Sequence, residues 1–326
     1  MQGSRNNALD GLRGVAILFV LLYHYTVRFD EIYYPLYNIN IFKIGGEIGV
    51  GLFFILSGYL MLLVGKKDKP KRFFIKRVFR LYPVYIISVL MTSFILYLYS
   101  STHPSLNQIL FNLTMFHEFF GVAPIDGVYW TLTLELLLYI FIFVLILTKK
   151  INYLTNLLFL WILIQFSVLY CLNNNLPSMI FTLFYYSNYF LIGMSIYGFL
   201  KENTKISSSL IVLLIYTLNF FYFHKLLPLE VMLTFIFVYI ILKPNNILFS
   251  NKFIVFIGTI SYPMYLIHQY IGYVLIDKLH MFIDNKLVIL LLTILVIIFF
   301  SFLISKYIEK PLIKIGHKKA QGFCNE

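Results

Sequence analysis

Apolar runs of about twenty residues, each closed by a short polar or charged stretch, follow one another along the whole chain. They lie near 8 to 27, 45 to 64, 82 to 100, 130 to 148, 153 to 172, 179 to 200, 208 to 223, 226 to 242, 255 to 276 and 287 to 306. A run of this length, wound as a helix, matches the hydrocarbon thickness of a bilayer. The pattern predicts an all-α fold, a polytopic membrane bundle of about ten transmembrane helices. Two boundaries are weakly marked: the turn 223 to 226, where His224 and Lys225 separate two apolar runs, and the Tyr-rich stretch 181 to 190.

Composition agrees with this picture and narrows it. Of 326 residues, 60% are hydrophobic and 12% charged, against about 25% charged in soluble domains, so an ordinary soluble fold is excluded. Ten spans use about 200 residues. A single membrane domain over 1–326, with its core at about 8–316, is expected, with no room for a second domain. The first run carries Asp10, Arg13 and His24 and lacks a small-residue cleavage site, so it reads as a retained helix and not a signal peptide.

The formal charge of +12 would point to nucleic acid in a soluble protein; here its placement matters more. With the N-terminus inside, twenty cations fall in loops that face the cytoplasm, eight of them between Lys66 and Arg80, against five in outer loops. That asymmetry predicts cytoplasmic N- and C-termini and no nucleic-acid partner. Cys171 and Cys324 lie far apart and predict neither a disulfide framework nor a metal site. Asn112-Leu113-Thr114 fits a glycosylation sequon, a triplet common by chance.

Ionisable residues inside spans are costly and usually functional. They are Asp10, Arg13, His24, Glu135, Glu230 and His268. At about 100° per residue, Asp10, Arg13 and His24 share a stripe about 60° wide, with His24 about 16 Å beyond Arg13. The predicted orientations bring His24, Glu135 and His268 to the outer half of the bilayer. Histidine accepts a proton near neutral pH and a carboxylate can orient it, so His24 with Glu135 is a candidate catalytic pair. Asp10 lies about 21 Å from His24 on a continuous helix, too far for contact.

The segment Lys66 to Arg80 is a positive-inside anchor for lipid headgroups. Arg77 and Arg80, at i and i+3, add two guanidiniums on one helix face, suited to phosphate. Ser57-Gly58 reads as small-residue helix packing before it reads as a nucleophile.

Together these residues resemble the acyltransferase 3 family of bacterial membrane acyltransferases. The resemblance rests on Leu9-Asp10-Gly11-Leu12-Arg13-Gly14 through His24, Phe53-Phe54-Ile55-Leu56-Ser57-Gly58-Tyr59, and Arg77-Val78-Phe79-Arg80-Leu81-Tyr82-Pro83. Tyr129-Trp130 through Glu135, Ser261-Tyr262-Pro263 through His268, and Glu309-Lys310-Pro311 follow in the same order. Two departures stand out: Gly51 replaces an acidic residue common in the family, and Thr131 and Thr133 replace serines.

The resemblance implies transfer of an acyl group, usually acetyl, from cytoplasmic acyl-CoA to a hydroxyl of a surface carbohydrate such as O-antigen or capsule, or its lipid-linked precursor. It implies a multi-pass protein of the bacterial inner membrane, with acetyl-CoA as donor substrate and no metal. His24 would be the essential histidine, with Glu135 as its partner. Asp10, Arg13, Arg77, Arg80 and His268 would bind substrates. The competing reading is a transporter or flippase of a glycan precursor, because buried charges also line transport paths. Consumption of acyl-CoA separates the two.

Overall fold

A computed structural model describes residues 7–99, 103–172, 176–202, 204–223, 227–243 and 246–322. The described residues contain no strand, and the fold is all-α. Cys324 and the turn at His224 and Lys225 lie outside the described residues.

The helices are α1 (Asn7–Tyr23), α2 (Phe29–Ile32), α3 (Gly45–Gly65), α4 (Pro70–Tyr99), α5 (Leu106–Leu113), α6 (Trp130–Leu147), α7 (Leu154–Cys171) and α8 (Ser178–Lys201). They continue as α9 (Lys205–Leu218), α10 (Leu227–Leu242), α11 (Lys252–Thr259), α12 (Ser261–Ile267), α13 (Gln269–His280), α14 (Lys286–Ile304) and α15 (Lys310–Gly322). Wider π turns join α1 to α2 at His24–Arg28 and α14 to α15 at Ser305–Glu309.

Among the described residues, eight helical stretches are long and apolar enough to cross a membrane, against about ten predicted. The other two predicted spans are helical but do not qualify. One is the shorter apolar helix Pro228–Leu242. The other, 255 to 276, is broken into α11, α12 and α13. Hydropathy averages over such breaks; Pro263, in the first turn of α12, suits a helix start and accounts for the break between α11 and α12.

The described residues divide into two compact units, one within Met1–Val50, Phe74–Leu136 and Asn245–Glu326, the other within Gly51–Phe73 and Leu137–Pro244. In the first unit, α1 and α11 run backbone against backbone. A Cβ on Gly11 would stand 1.7 Å from the Phe249 carbonyl oxygen, on Gly14 2.2 Å from that of Ile254, and on Gly258 1.7 Å from that of Asp10. Small residues are what allow two membrane helices to meet so closely.

The second unit uses the same device between α3 and α8. A Cβ on Gly58 would lie 2.2 Å from the Phe190 carbonyl oxygen, and on Gly193 2.0 Å from that of Ile55. Beside this seam Phe54 and Phe190 pack with ring centroids 4.3 Å apart. Lys66 forms an ion pair with Glu202. The buried Glu230 is taken up by amides: Asn219 donates to it at 2.6 Å, and Asn188 donates to Asn219 at 2.7 Å.

Candidate active site

The site lies in the first unit, where α1 widens. The π turn opens at His24, and in such a turn backbone carbonyls lose their ordinary amide partners. Side chains supply donors in their place: His24 Nδ1 lies 2.9 Å from the Val20 carbonyl oxygen, and Thr26 Oγ1 donates to that of Leu22 at 2.6 Å. The widening thus holds the imidazole against its own helix.

His268 meets it from the break between α12 and α13. Its Nε2 is 3.3 Å from His24 Nδ1, and the two rings meet edge to face with centroids 4.8 Å apart. His268 Nδ1 lies 2.7 Å from the Tyr265 carbonyl oxygen. A carbonyl can only accept, so each Nδ1 carries a proton and each neutral ring keeps its lone pair on Nε2. His268 Nε2 therefore accepts from His24 Nδ1. His24 Nε2 makes no hydrogen bond among the described residues. His24 is half-buried and His268 fully buried.

Tyrosines fix this pair. Tyr25 Oη donates to the His268 carbonyl oxygen at 2.9 Å, and its ring crosses Gly272 so closely that a Cβ there would lie 2.4 Å away. Tyr265, one turn before His268, shares a 2.9 Å hydrogen bond with Thr131 Oγ1.

Glu135 follows Thr131 by one turn on α6 and acts electrostatically on the Tyr265 hydroxyl. It does not pair with His24, whose hydrogen-bond partners are the Val20 carbonyl and His268. The reason is rotational: Thr131 and Glu135, one turn apart, share a helix face, and Thr131 turns that face toward Tyr265. The carboxylate expected beside His24 is thus replaced by a second imidazole.

The remaining predicted residues gather elsewhere in the same unit. Arg13 Nη1 bonds Asp10 Oδ1 at 2.8 Å, an ion pair within one turn. Arg77 and Arg80 lie on α4 as expected. Arg13 and Arg80 both act on the buried Glu309, whose Oε2 also accepts from Ser305 Oγ at 2.7 Å. Asp10, Arg13, Arg80 and Glu309 thus form one cluster, separated from His24 by the length of α1.

Sequence reasoning passed over Asp126. It reads as an ordinary loop acid, yet it is fully buried. Its carboxylate accepts from the backbone amides of Val128 at 3.2 Å and Tyr270 at 3.1 Å. Burial pushes its carboxyl up to about 7. The neighbouring residues Ala123 to Ile125 are pinned by the buried Asn112, which donates to the Ala123 carbonyl and accepts from the Ile125 amide. That use of the Asn112 amide removes it from consideration as a glycan acceptor. Gly51, where an acid was expected from the family, has no room for one: a Cβ would lie 2.9 Å from Leu233 and Tyr189. Among the described residues no three His, Cys, Asp or Glu side chains are placed to hold a metal ion.

The chain is similar to several known proteins. ORF330 of Acidianus two-tailed virus, provisionally named an acetyltransferase, is 29% identical over 289 residues, covering 82% of this chain and 84% of its own. A protein of Staphylococcus aureus (strain COL), provisionally named an O-acetyltransferase, is 36% identical over 86 residues, 24% of this chain and 12% of its own. The peptidoglycan O-acetyltransferase OatA of Listeria monocytogenes is 27% identical over 150 residues, 39% of this chain and 22% of its own. The chain therefore spans most of the viral relative and less than a quarter of the two bacterial ones. No solved structure matches it. A family described as an acyltransferase domain matches residues 6–307, and the chain belongs to that family, acyltransferase 3, as a multi-pass membrane acyltransferase.

Proposed function

We propose that the protein is an O-acetyltransferase that takes the acetyl group of cytoplasmic acetyl-CoA and places it on a hydroxyl of a surface carbohydrate or its lipid-linked precursor. The observation that carries this reading is the His24 ring, held through Nδ1 with its Nε2 lone pair left for a substrate. In the transfer, His24 Nε2 takes the proton of the acceptor hydroxyl while that oxygen attacks the thioester carbonyl carbon. The carbon–sulfur bond breaks, and the proton passes from His24 to the departing thiolate, giving an ester and free CoA.

During this step the imidazolium strengthens its Nδ1–H bonds to the Val20 carbonyl and His268 Nε2. His268 thereby does with a lone pair what a carboxylate does in other histidine pairs. On this reading Arg77 and Arg80 hold the phosphates of CoA, with Arg13 beside the acyl path. The Asp10–Arg13 pair and Glu309 keep that cationic cluster balanced before the anion arrives. About 16 Å of helix separates Arg13 from His24, so the donor's phosphates and its reacting carbon occupy different depths.

Sealed inside-out vesicles containing the protein test this directly. Acetyl-CoA added outside should yield free CoA and esterified carbohydrate in the lumen. Equal use of acceptor supplied on the CoA side, without permeabilisation, would overturn the two-sided geometry. Failure to release CoA with any surface carbohydrate would overturn the donor assignment. The bacterial inner membrane is the location that fits this chemistry, and a carbohydrate acceptor is in keeping with the peptidoglycan named in OatA.

A further inference from the structure

The structure assigns Asp126 as a positioning residue for His268, acting by capping, from a distant loop, the helix that starts immediately after that histidine. The assignment rests on the reading of His24 and His268 as the reacting pair.

The geometry begins with the break at His268. A helix that starts anew at Gln269 presents amides without partners in its first turn. No side chain of α13 caps it locally. The donor to be satisfied is the Tyr270 amide, and Asp126 Oδ2 accepts it across 144 positions of sequence. The other oxygen, Oδ1, accepts the Val128 amide and so fixes the carboxylate to its own loop. Neither oxygen is spare, and both bonds are to backbone. A carboxylate at a helix N-terminus also meets the positive end of the helix dipole.

Gly127 completes the junction. A Cβ there would lie 2.8 Å from Gln269 Nε2 and 2.9 Å from its Oε1, so the loop lies directly against the first residue of α13, and a larger residue would have to move the Gln269 amide. Asp126 and Gly127 therefore address Tyr270 and Gln269, the two residues that follow His268. Asn112 holds the preceding residues of the loop, so the cap is itself supported. His268 is consequently held from three directions: by Tyr25 at its carbonyl, by Tyr265 at Nδ1, and through α13 by Asp126. The third is the one that sets where the helix break falls, and so the distance from His268 Nε2 to His24. Displacement of a reacting group by about 1 Å can lower a rate about 100-fold.

A double-mutant cycle on the full chain in membranes tests the assignment, with acetyl-CoA as donor and the host's surface carbohydrate as acceptor. Asp126→Ala should lower kcat about 100-fold with little change in the KM for acetyl-CoA, and Asp126→Asn, which retains one acceptor oxygen, should recover part of it. In a His268→Ala background, Asp126→Ala should add no further loss, because residues that act through one another are not additive. Losses that multiply, a wild-type kcat for Asp126→Ala, or a wild-type rate for His268→Ala would each overturn it. If Asp126→Ala fails to accumulate, Asp126→Asn carries the same cycle. A fully active His24→Ala would instead remove the base reading, whatever the cycle shows.

Discussion

The first unit holds two polar clusters along α1, and they are solved in opposite ways. At the Asp10 end, charge is met by charge: Arg13 pairs with Asp10, and Arg13 and Arg80 both act on Glu309. At the His24 end neither imidazole joins an ion pair among the described residues, and Arg28, which closes the π turn, pairs instead with the exposed Glu31. Two imidazoles and a set of tyrosines are satisfied by backbone carbonyls, and the buried Asp126 is satisfied by backbone amides. A cluster of balanced charges suits the binding of an anion, which only redistributes charge already present. A neutral cluster with one unused lone pair suits proton transfer, because the charge it develops is new. The difference teaches that buried polar residues in one unit of a membrane protein need not serve one purpose.

The largest effect should come from the neutral end. His24→Ala should lower acyl transfer between about 100- and 10,000-fold at normal membrane abundance, the range for a general base. Asp10→Asn, at the charged end, should leave the rate far closer to wild type. Radiolabelled acetyl transfer in matched membranes compares them, and equal losses would erase the distinction drawn between the clusters.

Next in size is a substitution that should damage both ends together. Gly258→Leu would drive a side chain into the Asp10 carbonyl and prise α11 from α1. Overpacking of this kind typically costs about 1–3 kcal/mol. Abundance and thermal unfolding in detergent should fall with activity. Loss of activity alone, with the protein fully stable, would mean that the seam serves the site and not the fold.

A smaller and more selective effect is expected at the phosphate end. Arg80→Lys keeps the charge but loses the planar fork, and should raise the KM for acetyl-CoA about tenfold while the KM for acceptor stays put. Steady-state kinetics in which only the acceptor term moves would detach Arg80 from the donor.

The last effect concerns pH and is read in stability, not in rate. Asp126 titrates near 7 when folded and near 3.9 when unfolded, so the folded chain binds the extra proton between those values. Stability from this group is greatest at low pH, falls as pH rises from about 4 to 7, and is level above. The groups facing it are Tyr25, Tyr33, Tyr85, Tyr129, Tyr265, Tyr270 and Tyr273, phenols that stay neutral across that window. Glu118 and His117 titrate alike in both proteins, so the difference in melting temperature between wild type and Asp126→Asn isolates the term. Parallel pH curves would show that Asp126 does not change its protonation on folding.

How much of this was legible beforehand differs from residue to residue. His24 and His268 stand out in any hydropathy reading because ionisable groups inside apolar runs are expensive. Arg77 and Arg80 stand out by their spacing on one face. Asp126 did not, because it sits between spans, where an acid ordinarily meets water, and nothing local tells that the loop is buried. Glu135 looked like the partner of His24 because both were placed by depth alone. Depth along a helix axis says nothing about rotation around it, and rotation put Thr131 and Glu135 on the wall next to Tyr265.

The sequence by itself determined that the chain is helical, membrane-spanning and an acyltransferase, since those follow from the length of apolar runs and from ordered motifs along one strand of text. Only the tertiary structure decided which of its polar residues meet. The pairing of His24 with His268 bridges 244 positions and the cap of Asp126 on Tyr270 bridges 144. Such contacts are set by how Gly11, Gly14 and Gly258 let helices close on one another, and by where α1 widens and the 255 to 276 span breaks. These are properties of packed backbones, and hydropathy and spacing, which act within a single helix, do not encode them.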